Sequence, residues 1–129
     1  MLEQLSEKII NAALEVHMQL GGPGLLETVY ESALYHELTL RGLFSQRQLP
    51  IPVIYKGAPI RKPLYLDLLV ENQIVVEVKA LEADNVYYRA QLYTHLRLMN
   101  LPHGLLINFG KENLKQGILP VINESAIKK

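Results

Sequence analysis

Asp67, Glu77 and Lys79 stand where charge is least expected, inside the apolar runs Leu64-Tyr65-Leu66-Asp67-Leu68-Leu69-Val70 and Ile74-Val75-Val76-Glu77-Val78-Lys79. β-Branched and aliphatic side chains predict strands over both runs, with Glu71-Asn72-Gln73 as the turn between them. A three-residue turn puts Asp67 directly opposite Glu77, with both carboxylates leaving one face of the sheet and Lys79 pointing the same way. A two-residue turn at Glu71-Asn72 would pair Asp67 with Val76 and send the carboxylates to opposite faces. The chemistry therefore depends on register.

Two ionised carboxylates facing each other repel, and in a half-buried sheet they also lose hydration, so something must compensate them. A divalent cation does this well. Mg²⁺ takes an octahedron of hard oxygens and keeps several waters, so Asp67, Glu77, a backbone carbonyl such as that of Val78, and water make a sensible set of ligands. Such an ion lowers the pKa of a bound water and braces a phosphate oxygen, while Lys79 orients the attacking water or stabilises developing negative charge. Phosphodiester hydrolysis is the matching reaction class. The competing reading of the same residues is an ordinary ion-pair cluster in which Lys79 neutralises the two acids.

These residues need a frame. Leu5, Ile9, Ala13, Val16 and Leu20 recur at spacings of three and four, which predicts an amphipathic helix over residues 3–20, ended by Gly21-Gly22-Pro23-Gly24. A second helix is expected from Leu25 to Leu40, burying Leu26, Val29, Tyr30, Ala33, Leu34 and Leu38, with Arg41-Gly42 as its stop. A first strand is expected over Leu49–Tyr55, turning at Lys56-Gly57, ahead of the two charged strands. Helical spacing returns over residues 84–99 with Val86, Ala90, Tyr93 and Leu96 facing inward, and Gly104–Phe109 suits a buried strand reached by a helical crossover. The stretch from Leu114 to Val121 reads as loop or a weak extra strand, with fraying expected at the last residues. Helix, three strands, helix, strand implies a mixed sheet, its meander antiparallel and its last strand joined across the third helix.

Composition narrows the classes. At 129 residues, 49% of them hydrophobic, the chain suits one domain spanning 1–129. The absence of cysteine excludes disulfides, thiolate zinc sites and cysteine nucleophiles, and His17, His36, His95 and His103 share no zinc-ligand spacing. No apolar run approaches the roughly 20 residues of a membrane span, and the N-terminal residues carry charges where a signal peptide would be apolar, so a cytoplasmic protein is the expectation. Net charge is zero, but residues 1–40 hold one base (Lys8) against six acids, whereas residues 41–129 hold twelve bases against seven acids. A polyanion could use the second part, although scattered, solvated charges read the same way. With no Trp and two Phe, Tyr87, Tyr88 and Tyr93 are expected to pack in the core rather than to stack on bases.

Asp followed about ten residues later by Glu-x-Lys on an apolar strand resembles the signature of the PD-(D/E)XK nucleases. Gly24-Leu25-Leu26-Glu27-Thr28-Val29-Tyr30 matches the Gly-x-x-Glu-x-x-Tyr motif of the superfamily's small GxxExxY proteins, and Arg89-Ala90-Gln91-Leu92-Tyr93-Thr94-His95-Leu96 is similar to their glutamine-bearing helix. Gly104–Gly110 and Lys115–Ile118 are similar to the family's ending, so the resemblance runs from about residue 5 to 120. It implies a restriction-endonuclease-like α/β fold, an αβββαβ core with a mixed sheet flanked by helices, plus an extra N-terminal helix. It also implies Mg²⁺ or Mn²⁺ as cofactor, with Glu27, Asp67 and Glu77 as metal residues, to which the strand reading adds the Val78 carbonyl. Asp67, Glu77, Lys79 and Gln91 carry over as the catalytic set. Where related exonuclease-like nucleases place a tyrosine four residues after the glutamine, this chain has His95, which can still donate a hydrogen bond to phosphate.

The expected activity is metal-dependent cleavage of nucleic acid, with DNA favoured over RNA, and a chain this small is expected to act as a homo-oligomer or to receive duplex from a partner. The rival is a non-catalytic nuclease fold that binds nucleic acid or oligomerises. A third reading, a phosphate-ester hydrolase for a small nucleotide, would require a closed pocket on the sheet face.

Overall fold

A computed structural model describes residues 2–127. The chain runs through α1 (Leu2–Gln19), α2 (Glu27–Leu40), β1 (Ser45–Ile51), β2 (Ile54–Tyr55), β3 (Ala58–Pro59), β4 (Leu64–Val70), β5 (Ile74–Lys79), α3 (Val86–Met99), β6 (His103–Asn108) and β7 (Ile118–Ile122). Five strands form a mixed sheet in the order β1-β4-β5-β6-β7. β5 and β6 are parallel across α3, and the other neighbours are antiparallel. This is the restriction-endonuclease-like α/β fold, with α1 as the extra N-terminal helix. No helix among the described residues is long and apolar enough to cross a membrane. The fraying expected at the end falls on Lys128 and Lys129, which lie outside the described residues.

The sheet is buried on both faces, as a strand joined by a helical crossover requires. On one side Ile9, Ala13, Leu34 and Leu38 of α1 and α2 pack against Leu68, Val70, Val76, Val78 and Ile107. On the other, Leu92 and Leu96 of α3 pack against Leu66, Leu69, Val75 and Leu106. Alternate residues of the central strands divide between these two cores, as the two-residue period of a strand demands.

Several local expectations change. β1 begins at Ser45 rather than Leu49 and ends at Ile51, because its first half is an edge strand whose Gln46, Arg47 and Gln48 remain polar. Lys56-Gly57 turns a separate two-stranded hairpin, β2 with β3, and both residues have positive φ. The stretch after Leu114 is a short 3-10 turn followed by β7, an edge strand that tolerates Pro120 there.

Helix faces shift as well. α2 buries Tyr30, Leu34 and Leu38 and half-buries Ala33, but Leu26, which caps the helix ahead of its first turn, is 74% exposed, and Val29 is also exposed. Leu20 lies beyond the end of α1 and is exposed. α3 docks through Leu92, His95 and Leu96, which rotates Ala90 outward and leaves Val86 85% exposed. Tyr88 and Tyr93 pack at the margin of the α3-side core as expected. Tyr87 does not; it is 75% exposed.

Candidate active site

The β4–β5 register is the one set by a three-residue turn: Leu68, Leu69 and Val70 face Val76, Val75 and Ile74. Glu71 and Asn72 both adopt positive φ, and the Gln73 N–H closes the turn onto the Val70 carbonyl at 2.9 Å. Glu77 therefore shares a face with Val75, the α3 side, and Lys79 follows it. The ladder itself stops short of Asp67. Instead of a backbone pairing there, the Asp67 carboxylate accepts a hydrogen bond from the Val78 N–H at 2.8 Å.

β1 breaks at the same level. Gln48, the residue that would face Asp67, has φ of 50° and is missing from an otherwise continuous β1–β4 ladder. On both strands the side-chain alternation resets at this point. Leu66 and Leu68, two residues apart, belong to opposite cores. Arg47 reaches Glu31 and Ser32 of α2, while Leu49 packs on the α3 side. The paired distortion works like a bulge, re-aiming side chains at one level of the sheet. It leaves Asp67 between the two faces rather than on Glu77's face alone.

Helix α2 brings two more acids to this level. The motif that contains Glu27 has a plain physical reading. Gly24 sits at φ of 117°, a conformation L side chains rarely adopt, and leads into the helix start. Tyr30 is fully buried, stacks on Phe109 at 4.7 Å, and donates its hydroxyl to the Gly22 carbonyl at 2.7 Å while accepting from the Leu25 N–H at 3.2 Å. The glycine loop is thus fastened at both ends, which holds Glu27 in the first turn of α2. One residue past the motif, Glu31 is buried and receives bonds from Arg47 and Gln48, and the same Gln48 amide contacts Asp67 at 3.4 Å. Sequence reasoning missed Glu31, which looks like any solvated helix acid. Its only hint was that it lies three residues before Leu34 on the buried stripe.

Glu77 is held from the other side. Its carboxylate lies 3.3 Å from Nδ1 of His95, and both side chains are buried. His95 is therefore engaged with an acid of the site rather than turned outward toward a phosphate. Gln91, one turn earlier on α3, is exposed and lines an open cleft with Tyr88 and His95. Lys79 is half-buried with Nζ 4.8 Å from the centre of the Tyr88 ring, a cation–π contact.

The electrostatics express crowding of negative charge. Burial pushes the Glu77 carboxyl up, opposed by the bond from His95 and reinforced by Asp67. Burial also raises Glu31, opposed by Gln48 and Arg47. Glu27 is more open, yet partial desolvation still raises it, with Lys79 pulling it down and Asp67 and Glu31 pushing it up. Such a cluster has hard-oxygen chemistry and an excess of negative charge, which suits a divalent cation. Among the described residues no three His, Asp or Glu side chains are gathered closely enough to enclose a metal. Two carboxylates such as Asp67 and Glu77, with a backbone oxygen and water, would make a donor set of the kind Mg²⁺ takes.

A model of the PD-(D/E)XK nuclease superfamily matches residues 3–121 of the chain. No curated protein and no solved structure matches it.

Proposed function

The chain belongs to the PD-(D/E)XK nuclease superfamily, and on that premise we propose that it is a metal-dependent nuclease of the GxxExxY type, working as a single catalytic domain. Asp67, Glu77 and the Val78 carbonyl would hold Mg²⁺ or Mn²⁺, with Glu27 contributing through bound water. When bound, the ion supplies Lewis acidity toward a phosphate oxygen and lowers the pKa of a coordinated water. Asp67 is kept in place for this by the Val78 N–H, and Glu77 by His95. Lys79, its ammonium resting over the Tyr88 ring, meets the scissile phosphate and stabilises the negative charge that develops there. Gln91, open to solvent on the same helix face as Tyr88 and His95, positions the incoming strand.

The observation that carries this reading is the break in both ladders at Gln48 and Asp67, which frees one carboxylate from its strand face beside Glu77 and Lys79. The substrate class is nucleic acid, DNA ahead of RNA, with a homo-oligomer as the form that engages duplex. The test is cleavage of end-labelled DNA and RNA in Mg²⁺ or Mn²⁺ by wild type and Asp67→Asn from parallel preparations. Metal-dependent cleavage by wild type alone supports the proposal. Silence from a folded wild type on every substrate would refute it and favour a non-catalytic binding module.

A further inference from the structure

Beside Lys79 lies a cleft of about 290 Å³ whose walls include Tyr88, Leu106 and Ile118, with Arg89 and Gln116 at its mouth. Neither the ladder break nor the carboxylate cluster accounts for it. Resting on the nuclease reading, we propose that this cleft is a subsite for an unpaired nucleobase, so that the strand entering the site is single-stranded at the nucleotide next to the cut.

The lining argues for a base. Its accessible surface is chiefly apolar although half of its lining residues are polar or charged, which suits the face and edge of a heterocycle better than a phosphate. Its volume falls near the lower end of small-ligand sites, roughly 300 Å³, enough for one nucleotide and too small for a stacked base pair. Tyr88 divides it from the neighbouring cleft that carries Gln91 and His95, so a strand crossing this ridge passes directly over Lys79.

The N-terminal turn of α3 adds a second aromatic surface across the Tyr88 ridge, where Tyr87 lines the neighbouring cleft with Gln91. Asn85 caps the helix by accepting from the Tyr87 N–H at 2.9 Å, which holds this turn in place while the Tyr87 ring stays exposed. An exposed tyrosine beside an exposed Val86 on a capped helix start is a platform for stacking, and stacking needs a base whose face is free.

Charge points the same way. The chain has no net charge, so phosphate contacts are local to its basic residues and leave room for contacts to bases to add affinity. At the cleft, Lys79 and Arg89 take part in none of the ion pairs among the described residues, while the one acid on the rim, Asp84, is paired with Lys111 at 3.1 Å. A cationic mouth over an apolar cleft fits a base with its phosphate outside.

The test is fluorescence anisotropy of labelled single-stranded DNA, single-stranded RNA and the matched blunt duplex with the full chain in EDTA, where cleavage is blocked. Wild type should bind single strands at least about tenfold more tightly than duplex, and the two single-stranded arms distinguish DNA from RNA. Tyr87→Ala should weaken single-strand binding by about five- to a hundredfold, and Leu119→Trp, on the exposed edge strand at the cleft, should do the same by filling it. Both changes are at exposed positions, and circular dichroism should confirm retained folds. Equal binding of duplex, or single-strand affinity unmoved in both variants, would overturn the base subsite. If wild type in Mg²⁺ still cuts duplex in that case, the nuclease reading survives alone; if single strands bind as expected but are never cut, the subsite stands and the nuclease reading falls.

Discussion

Near its turn the β4–β5 hairpin pairs Leu68, Leu69 and Val70 with Val76, Val75 and Ile74, and all six side chains are buried. One residue further from the turn, Asp67 has no ladder partner and bonds instead to the Val78 N–H. The two ends of one hairpin thus differ: the first is paired throughout, within the hairpin and to β1 and β6, and packs both faces, while at the second a carboxylate takes the place of the ladder partner. Burial at the first end stabilises the fold; at the second end it raises the Glu77 and Glu31 carboxyls, which works against it. A protein that keeps such a cluster beside a dry core is spending stability on a site.

The contrast can be broken from the chemical end first. Lys79→Ala should lower cleavage by about 10²- to 10³-fold with the fold retained and only a small fall in melting temperature, because Lys79 is half-buried at the strand end, takes part in no ion pair among the described residues and loses only its contact with Tyr88 and its pull on Glu27 and Glu77. A comparable loss of melting temperature would mean that Lys79 belongs to the structural end instead.

A smaller effect separates holding from ligating. His95→Ala should weaken Mn²⁺ binding by about 10- to 100-fold, measured by calorimetry, since it removes the partner that fixes Glu77, and His95→Gln should recover part of the loss. Unaltered affinity in His95→Ala would assign the pair to packing.

Tyr30→Phe moves the comparison to α2. It leaves the Gly22 carbonyl and the Leu25 N–H without their bond, which should cost about 1–3 kcal/mol in urea unfolding, with the Phe109 stacking retained. The loss should carry over to cleavage because the same loop holds Glu27.

The mildest test is Glu77→Gln without metal. The folded-state value of Glu77 is raised, so its contribution to stability is present at low pH and is lost as pH rises through that value. Removing the ionisation should therefore give a melting temperature above wild type at neutral pH, with the gap closing as pH falls below the ordinary carboxylate range. A wild type more stable than Glu77→Gln at neutral pH would mean that His95 fully compensates the charge.

Much of this was legible in the residues, and what was hidden had physical causes. Asp67, Glu77 and Lys79 stood out because charge interrupts apolar strands, and Glu71-Asn72-Gln73 implied the observed register. The ladder break did not show, since nothing in Gln48 signals φ of 50°. β1 was read late because an edge strand can carry Gln46 and Arg47 without an apolar pattern. In α3 the expected stripe of Val86, Ala90, Tyr93 and Leu96 keeps Leu96 and, at the core margin, Tyr93, while Leu92 and His95 take the place of Val86 and Ala90, the histidine because it has a buried acid to meet. Glu31 was invisible for the same reason: a buried charge is betrayed only by partners that are distant in sequence, here Arg47 and Gln48.

The central claim is that the hairpin's open end is a metal site, and it can be tested without any nucleic acid. Mn²⁺ titrated into the wild-type chain at neutral pH, followed by electron paramagnetic resonance, should reveal a bound ion that Mg²⁺ displaces and that Asp67→Asn loses with its fold intact. A folded wild type that binds no Mn²⁺, or an Asp67→Asn chain that binds it equally well, would contradict the account.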